Sequence, residues 1–244
     1  MVSVDVVAIF AHPDDMELSV GGTMLKLKQL GYRTAAIDVT RGEMGTRGTP
    51  QVRAIEAEKA AQILGLDVRD NLQLADGHVF ADDNARCRLV RKLRELKPKL
   101  ILTHQPGDPH PDHDHISTLV RESARLASMA NYDPETGHKR IGVPRIAHTV
   151  FSARVYPSFI VDISEQLETK MQAIRAHGSQ FFRLAPDEPE TRLTEEGFLD
   201  QIEARARYFG SLIGAAAGEP YFVREVLNID DPVSLLTRPM NLYS

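Results

Sequence analysis

One cysteine, Cys87, in 244 residues makes an intrachain disulfide impossible. No apolar run approaches the roughly 20 residues needed to cross a bilayer, and the first residues lack the basic-then-apolar order of a secretory leader. There is no internal repeat, coiled-coil heptad or low-complexity tract. The 29 basic and 34 acidic residues leave a formal charge of -5, so nucleic acid and anionic membranes are not expected as partners. These absences leave a soluble, cytoplasmic protein acting on a small molecule. A hydrophobic content of 42% suits a substantial core, and one domain spanning residues 1–244 is expected rather than two small ones.

Short, mostly apolar runs at Val4–Phe10, Thr34–Val39, Lys99–Thr103, His148–Phe151 and Phe159–Ile163 read as strands of a sheet covered on both faces. Helical stretches lie between them: Glu17–Leu30, closed by Gly31; Pro50–Leu64, closed by Gly65; Asp82–Leu96, before Pro98; and about Asp112–Met129. Alternating strand and helix predicts α/β architecture, a Rossmann-like, mostly parallel sheet with helices on both faces. Surface excursions are expected near residues 131–145 and 185–193. A last helix is expected from about Thr194, as N-cap, to Gly214. Gly21-Gly22, inside the first helix, would permit close packing on the sheet.

Two clusters carry the chemistry. Ala11-His12-Pro13-Asp14-Asp15-Met16-Glu17 follows the first strand, and His110-Pro111-Asp112-His113-Asp114-His115 follows the run ending at Thr103. Parallel strands bring all such loops to one edge of the sheet, where open α/β folds place their sites. Imidazoles and carboxylates there suit a divalent metal, with zinc in a hydrolase as the first expectation. His12 and Asp15, three apart across a turn, can face one point with a histidine from the second cluster. Spacing does not choose among His110, His113 and His115. Asp14 projects differently and is free to act as a general base, although Asp14 or Asp15 could equally cap the following helix. A nucleotide-binding module is disfavoured, because His-Pro-Asp-Asp stands where a Gly-x-Gly-x-x-Gly turn would be and would repel a pyrophosphate. Cys87, in a basic helical stretch, reads as structural or incidental.

The first cluster joined to His110-Pro-Asp-His113 resembles the two signature motifs of the LmbE-like, or PIG-L, N-acetylglucosamine deacetylase family. Thr40-Arg-Gly-Glu-Met-Gly-Thr, Arg53-Ala-Ile-Glu-Ala-Glu-Lys-Ala, Ile163-Ser-Glu, Ser179-Gln-Phe and Ile202-Glu-Ala-Arg-Ala-Arg-Tyr-Phe-Gly extend the similarity over most of residues 4–214. Within the family the chain most resembles bacillithiol biosynthesis deacetylases acting on N-acetylglucosaminyl malate. The resemblance implies an LmbE-like fold and a zinc-dependent N-deacetylase, with iron, manganese or cobalt as other metals for the same donors. It implies His12, Asp15 and His113 as ligands, Asp14 as general base, His110 as oxyanion stabiliser and Arg53 as a substrate-pocket residue. Arg53 and Glu56, three apart on a helix, also admit a surface ion pair. Pro109 stands where some relatives carry arginine, so a contact to an acidic part of the substrate is either missing or supplied elsewhere; Arg41 and Arg47 could substitute, or could equally be solvated loop charges. An N-acetylated amino sugar is the implied substrate, and a homo-oligomer the implied assembly.

Overall fold

The computed structural model describes residues 3–151, 155–183, 185 and 187–237. The first strand, β1 (Val6–Phe10), is buried throughout. It leads into α1 (Asp15–Gln29), β2 (Thr34–Thr40), α2 (Pro50–Leu64), β3 (Val68–Leu74), α3 (Asp83–Leu96), β4 (Leu100–Thr103), α4 (Pro111–Ala127) and β5 (Arg145–Thr149). The chain ends its described part with β6 (Phe159–Asp162), α5 (Leu167–Arg175), α6 (Gly178–Phe181), α7 (Phe198–Ser211), β7 (Gly218–Phe222) and α8 (Pro232–Leu236). The seven strands form one sheet in the order β3-β2-β1-β4-β5-β7-β6. The first five are parallel, while β7 runs antiparallel to both β5 and β6.

Successive residues of a strand face opposite sides, and the sheet uses both. Val7, Ile9, Ile37 and Ile101 pack with Leu89, Leu93, Ile116 and Leu119 of α3 and α4. Val6, Ala8, Phe10 and Leu102 pack on the other face with Met16, Val20 and Met24 of α1 and with Ala60 and Leu64 of α2. This single α/β domain is the expected mostly parallel sheet between helices. β2 and β3 lie on one side of β1 and β4 on the other, so the strand order reverses beside β1. Loops leaving β1 and β4 therefore open into one crevice at their carboxyl ends.

Several boundaries differ from expectation for physical reasons. β3 was not expected: Val-Arg-Asp-Asn-Leu-Gln-Leu is polar because it is an edge strand with only Leu72 and Leu74 buried. Nor was β7, since Pro220 argues against a ladder position, yet its carbonyl accepts the Val150 N–H. β5 begins at Arg145 rather than at His148. α5 and α6 were not foreseen. The last long helix starts at Phe198, Thr194 closing a separate turn with Thr191. Residues 131–144 are irregular apart from the turn Pro134–Thr136, and Pro186 in the second excursion lies outside the described residues. Gly21-Gly22 do permit a close approach, but not to the sheet: a Cβ on Gly22 would lie 2.8 Å from Ile163 Cδ1, just past β6. Among the described residues no helix is long and apolar enough to cross a membrane.

Candidate metal and catalytic site

The turn from β1 into α1 separates two adjacent carboxylates. Asp14 sits at the N-cap position with φ 137°, a conformation rarely adopted by a side-chain-bearing residue. Its side chain makes no cap hydrogen bond, so the capping expectation does not hold there. Instead it is buried beside α2, where Arg53 Nη2 lies 3.2 Å from its Oδ2. Asp15 takes a different partner, its Oδ2 accepting the His12 backbone N–H at 2.9 Å. The unusual φ at Asp14 accompanies this division of partners between adjacent carboxylates.

Asp15 Oδ2 lies 3.0 Å from His12 Nδ1 and 3.3 Å from His113 Nε2. The far nitrogen of each ring has its own carboxylate. His12 Nε2 is 3.0 Å from Asp76 Oδ1, with Asp112 Oδ2 farther at 3.7 Å, and His113 Nδ1 is 3.3 Å from Asp108 Oδ1. Donor atoms of His12, Asp15 and His113 all fall within 4.8 Å of one another, as do those of His12, His110 and Asp112. In the second grouping Asp112 is already engaged, accepting N–H groups of Gly77 at 2.7 Å and Val79 at 3.2 Å.

Electrostatics follow from this crowding. Burial opposes ionisation of Asp15, yet the His113 and His12 imidazoles hold its carboxyl well below the usual range. Burial pulls His113 down, but Asp15 and Asp108 outweigh it and raise the imidazole to about 9. Asp14 is the opposite case. Burial pushes its carboxyl up to about 6 against the pull of the Arg53 guanidinium. Burial, reinforced by His113, drops His104 to about 4. Its Nε2 accepts the Ala11 N–H at 3.0 Å, which places the proton of this neutral ring on Nδ1.

His110 is exposed at the N-cap position of α4, its ring 4.4 Å from that of His113 and 5.1 Å from that of His12. His115 belongs to neither donor group and packs 4.7 Å from the Phe80 ring. Arg53 is not a surface pair with Glu56. Its guanidinium donates to the Gly42 and Pro13 carbonyls as well as to Asp14, while Glu56 accepts from the Ser179 N–H and hydroxyl. Arg47 is neither solvated nor available to a ligand. It donates to carbonyls of Ser179, Phe182 and Pro189 and to Glu188. Arg41 is exposed and lies 3.9 Å from Glu43. Cys87 Sγ lies 3.5 Å from the Tyr132 hydroxyl, away from the site.

Sequence reasoning missed Asp76, Asp108 and His104. Asp76 follows the unforeseen β3, so its loop was not placed at the site. His104 directly follows β4, and that position was the available signal.

The sheet order and this paired histidine-carboxylate arrangement define a class. The chain belongs to the PIG-L, or LmbE-like, family of deacetylases, with residues 7–124 matching the family described as GlcNAc-PI de-N-acetylase. It is similar to the diacetylchitobiose deacetylase of Thermococcus kodakarensis, at 31% identity over 186 residues, 72% of this chain and 70% of that protein. The probable N-acetyl-alpha-D-glucosaminyl L-malate deacetylase 2 of Bacillus anthracis is 30% identical over 190 residues, 72% of this chain and 81% of that protein. Among solved structures, the conserved protein TT1542 from Thermus thermophilus superposes with a TM-score of 0.82 at 32% identity, covering 93% of this chain and 97% of that one.

Proposed function

We propose that the chain is a metal-dependent hydrolase that removes the acetyl group from an N-acetylglucosamine conjugate, with N-acetylglucosaminyl L-malate as leading substrate. The observation that carries this reading is the pair of outer carboxylates, Asp76 behind His12 and Asp108 behind His113, while both rings turn their other nitrogen to Asp15. Metal-ligating histidines are oriented in this way, and a cation would relieve the convergence of acidic groups. The donors fit a divalent metal, and His12, Asp15 and His113 would hold it. Asp112 in the other grouping is committed to backbone N–H groups. Two imidazoles and a carboxylate suit zinc first, and also iron, manganese or cobalt.

The bound cation would supply Lewis acidity toward the acetamide carbonyl and an attacking water. The remaining work falls to the chain. Asp14, which takes a different partner from Asp15, accepts the water's proton and returns it to the leaving nitrogen, serving as base and then as acid. Arg53 holds that carboxylate in place from α2. His110, exposed over both ligand rings, donates to the oxygen on which negative charge develops.

Aerobic and anaerobic purification with elemental analysis, followed by acetate-release assays on N-acetylglucosaminyl malate, diacetylchitobiose and simple N-acetylglucosaminides, tests metal and substrate together. One metal per chain with acetate release is expected. A fully metallated protein releasing no acetate from any member of the panel would overturn this substrate assignment and leave either a deacetylase of another N-acyl sugar or small conjugate or a non-catalytic binding module.

A further inference from the structure

We infer that the crevice beneath Arg205 is an anion subsite that reads a carboxylate on the substrate's aglycone; this rests on the deacetylase reading above and deepens it. Arg205, on α7, is half-buried with its guanidinium carbon 4.1 Å over the centre of the Phe151 ring. Nη2 donates to the Val150 carbonyl. Among the described residues no carboxylate pairs with it, and burial pulls it down to about 10 with no ionised neighbour opposing. A desolvated guanidinium without a counter-ion is costly to keep, and its planar fork matches a carboxylate.

The surroundings supply further donors. Arg205, Ser19 and Thr149 line one small crevice of about 20 Å³, room for a group the size of one carboxylate oxygen or water. Neither hydroxyl has a hydrogen-bond partner among the described residues. Glu219 and Lys170 also line the crevice, but they neutralise each other at 2.6 Å. No catalytic residue lines the crevice itself, but α1 and the segment after β5 link it to the catalytic loops. Ser19 stands four residues after Asp15 on α1, a rise of about 6 Å. The Phe151 N–H donates to Gln105, next to His104, at 2.9 Å. With Pro109 carrying no charge, Arg47 held by carbonyls and Arg41 exposed beside Glu43, Arg205 is the half-buried cation without a carboxylate partner among the described residues that can answer an acidic aglycone.

The purified, metal-loaded protein and its Arg205→Met and Arg205→Lys variants are to be assayed on N-acetylglucosaminyl malate and on the neutral methyl N-acetylglucosaminide. In parallel, each is titrated calorimetrically with L-malate. Methionine keeps an apolar stem on Phe151, and lysine restores the charge. The acidic-over-neutral ratio of kcat/KM is expected to fall about tenfold or more in Arg205→Met, through KM, and to recover partly in Arg205→Lys. Malate should bind the wild type and compete with the acidic substrate, with affinity lost in Arg205→Met. An unchanged ratio, or malate affinity equal in wild type and Arg205→Met, overturns the inference. Malate that binds through Arg205 without competing also overturns it, because the crevice then holds a free anion apart from the substrate. Should no N-acetylglucosaminide release acetate, the reaction assigned above fails, while malate binding that depends on Arg205 still supports the subsite.

Discussion

Asp76 divides its carboxylate between two partners: Oδ1 lies 3.0 Å from His12 Nε2, and Oδ2 accepts the Met44 N–H at 2.8 Å. The loop after β2 is thereby coupled to the orientation of a proposed metal ligand through one residue of the edge-strand loop. Removing that acceptor frees the His12 ring to rotate and lowers its basicity. Asp76→Ala should weaken metal affinity roughly 10- to 100-fold. Chelator competition followed by elemental analysis measures this, and unaltered affinity would show that the contact does not orient a ligand.

Asp14 and Asp15 are adjacent but should fail differently. Asp15→Ala is expected to lose both metal and activity, because its Oδ2 meets both imidazoles. Asp14→Ala should retain metal and lose roughly 100- to 10,000-fold in kcat, the usual contribution of a general base. Metal content and acetate release measured on the same preparations separate the two roles. Near-normal turnover in Asp14→Ala would remove it from the mechanism.

Arg53 predicts a pH effect of definite sign. Asp14 must be ionised to accept a proton, so kcat/KM falls as pH drops through its pKa, which the chain's own groups set at about 6. The Arg53 charge pulls that value down. In Arg53→Gln the downward pull is gone, and the acidic limb of the pH–rate profile should move to higher pH. A limb that stays or moves down would mean that the guanidinium does not act on Asp14.

Arg94 tests the scaffold rather than the site. It is almost fully buried and donates to the carbonyls of Ala127, Met129 and Asp133, closing the C-terminal end of α4. Leaving these acceptors unpaired should cost Arg94→Ala about 3 kcal/mol. Denaturant unfolding reads the loss directly, while metal content in the folded fraction should remain intact.

Much of this arrangement is legible locally. α2 runs over Pro50–Leu64 with Gly65 in the left-handed conformation, as its punctuation predicts. The signature loops follow β1 and β4 as expected, and His12, Asp15 and His113 do meet. Other elements were hidden because their environment is not local. The polarity of β3 makes sense only at a sheet edge, and Pro220 fits β7 only because Val150 uses its carbonyl. Arg47 reads as a loop charge until α6 and the following segment close over it with three carbonyl oxygens.

The sequence by itself determined the layered architecture, through apolar runs matched to strands and helices, and it determined that the two histidine-aspartate loops reach the carboxyl edge of the sheet. Tertiary structure alone decided which histidine faces Asp15, that Asp76 and Asp108 stand behind the two rings, and that Asp14 turns to Arg53. The reason is geometric. Spacing sets where a side chain leaves the backbone, but its partner is chosen by strand order and by helices packed from segments tens of residues away.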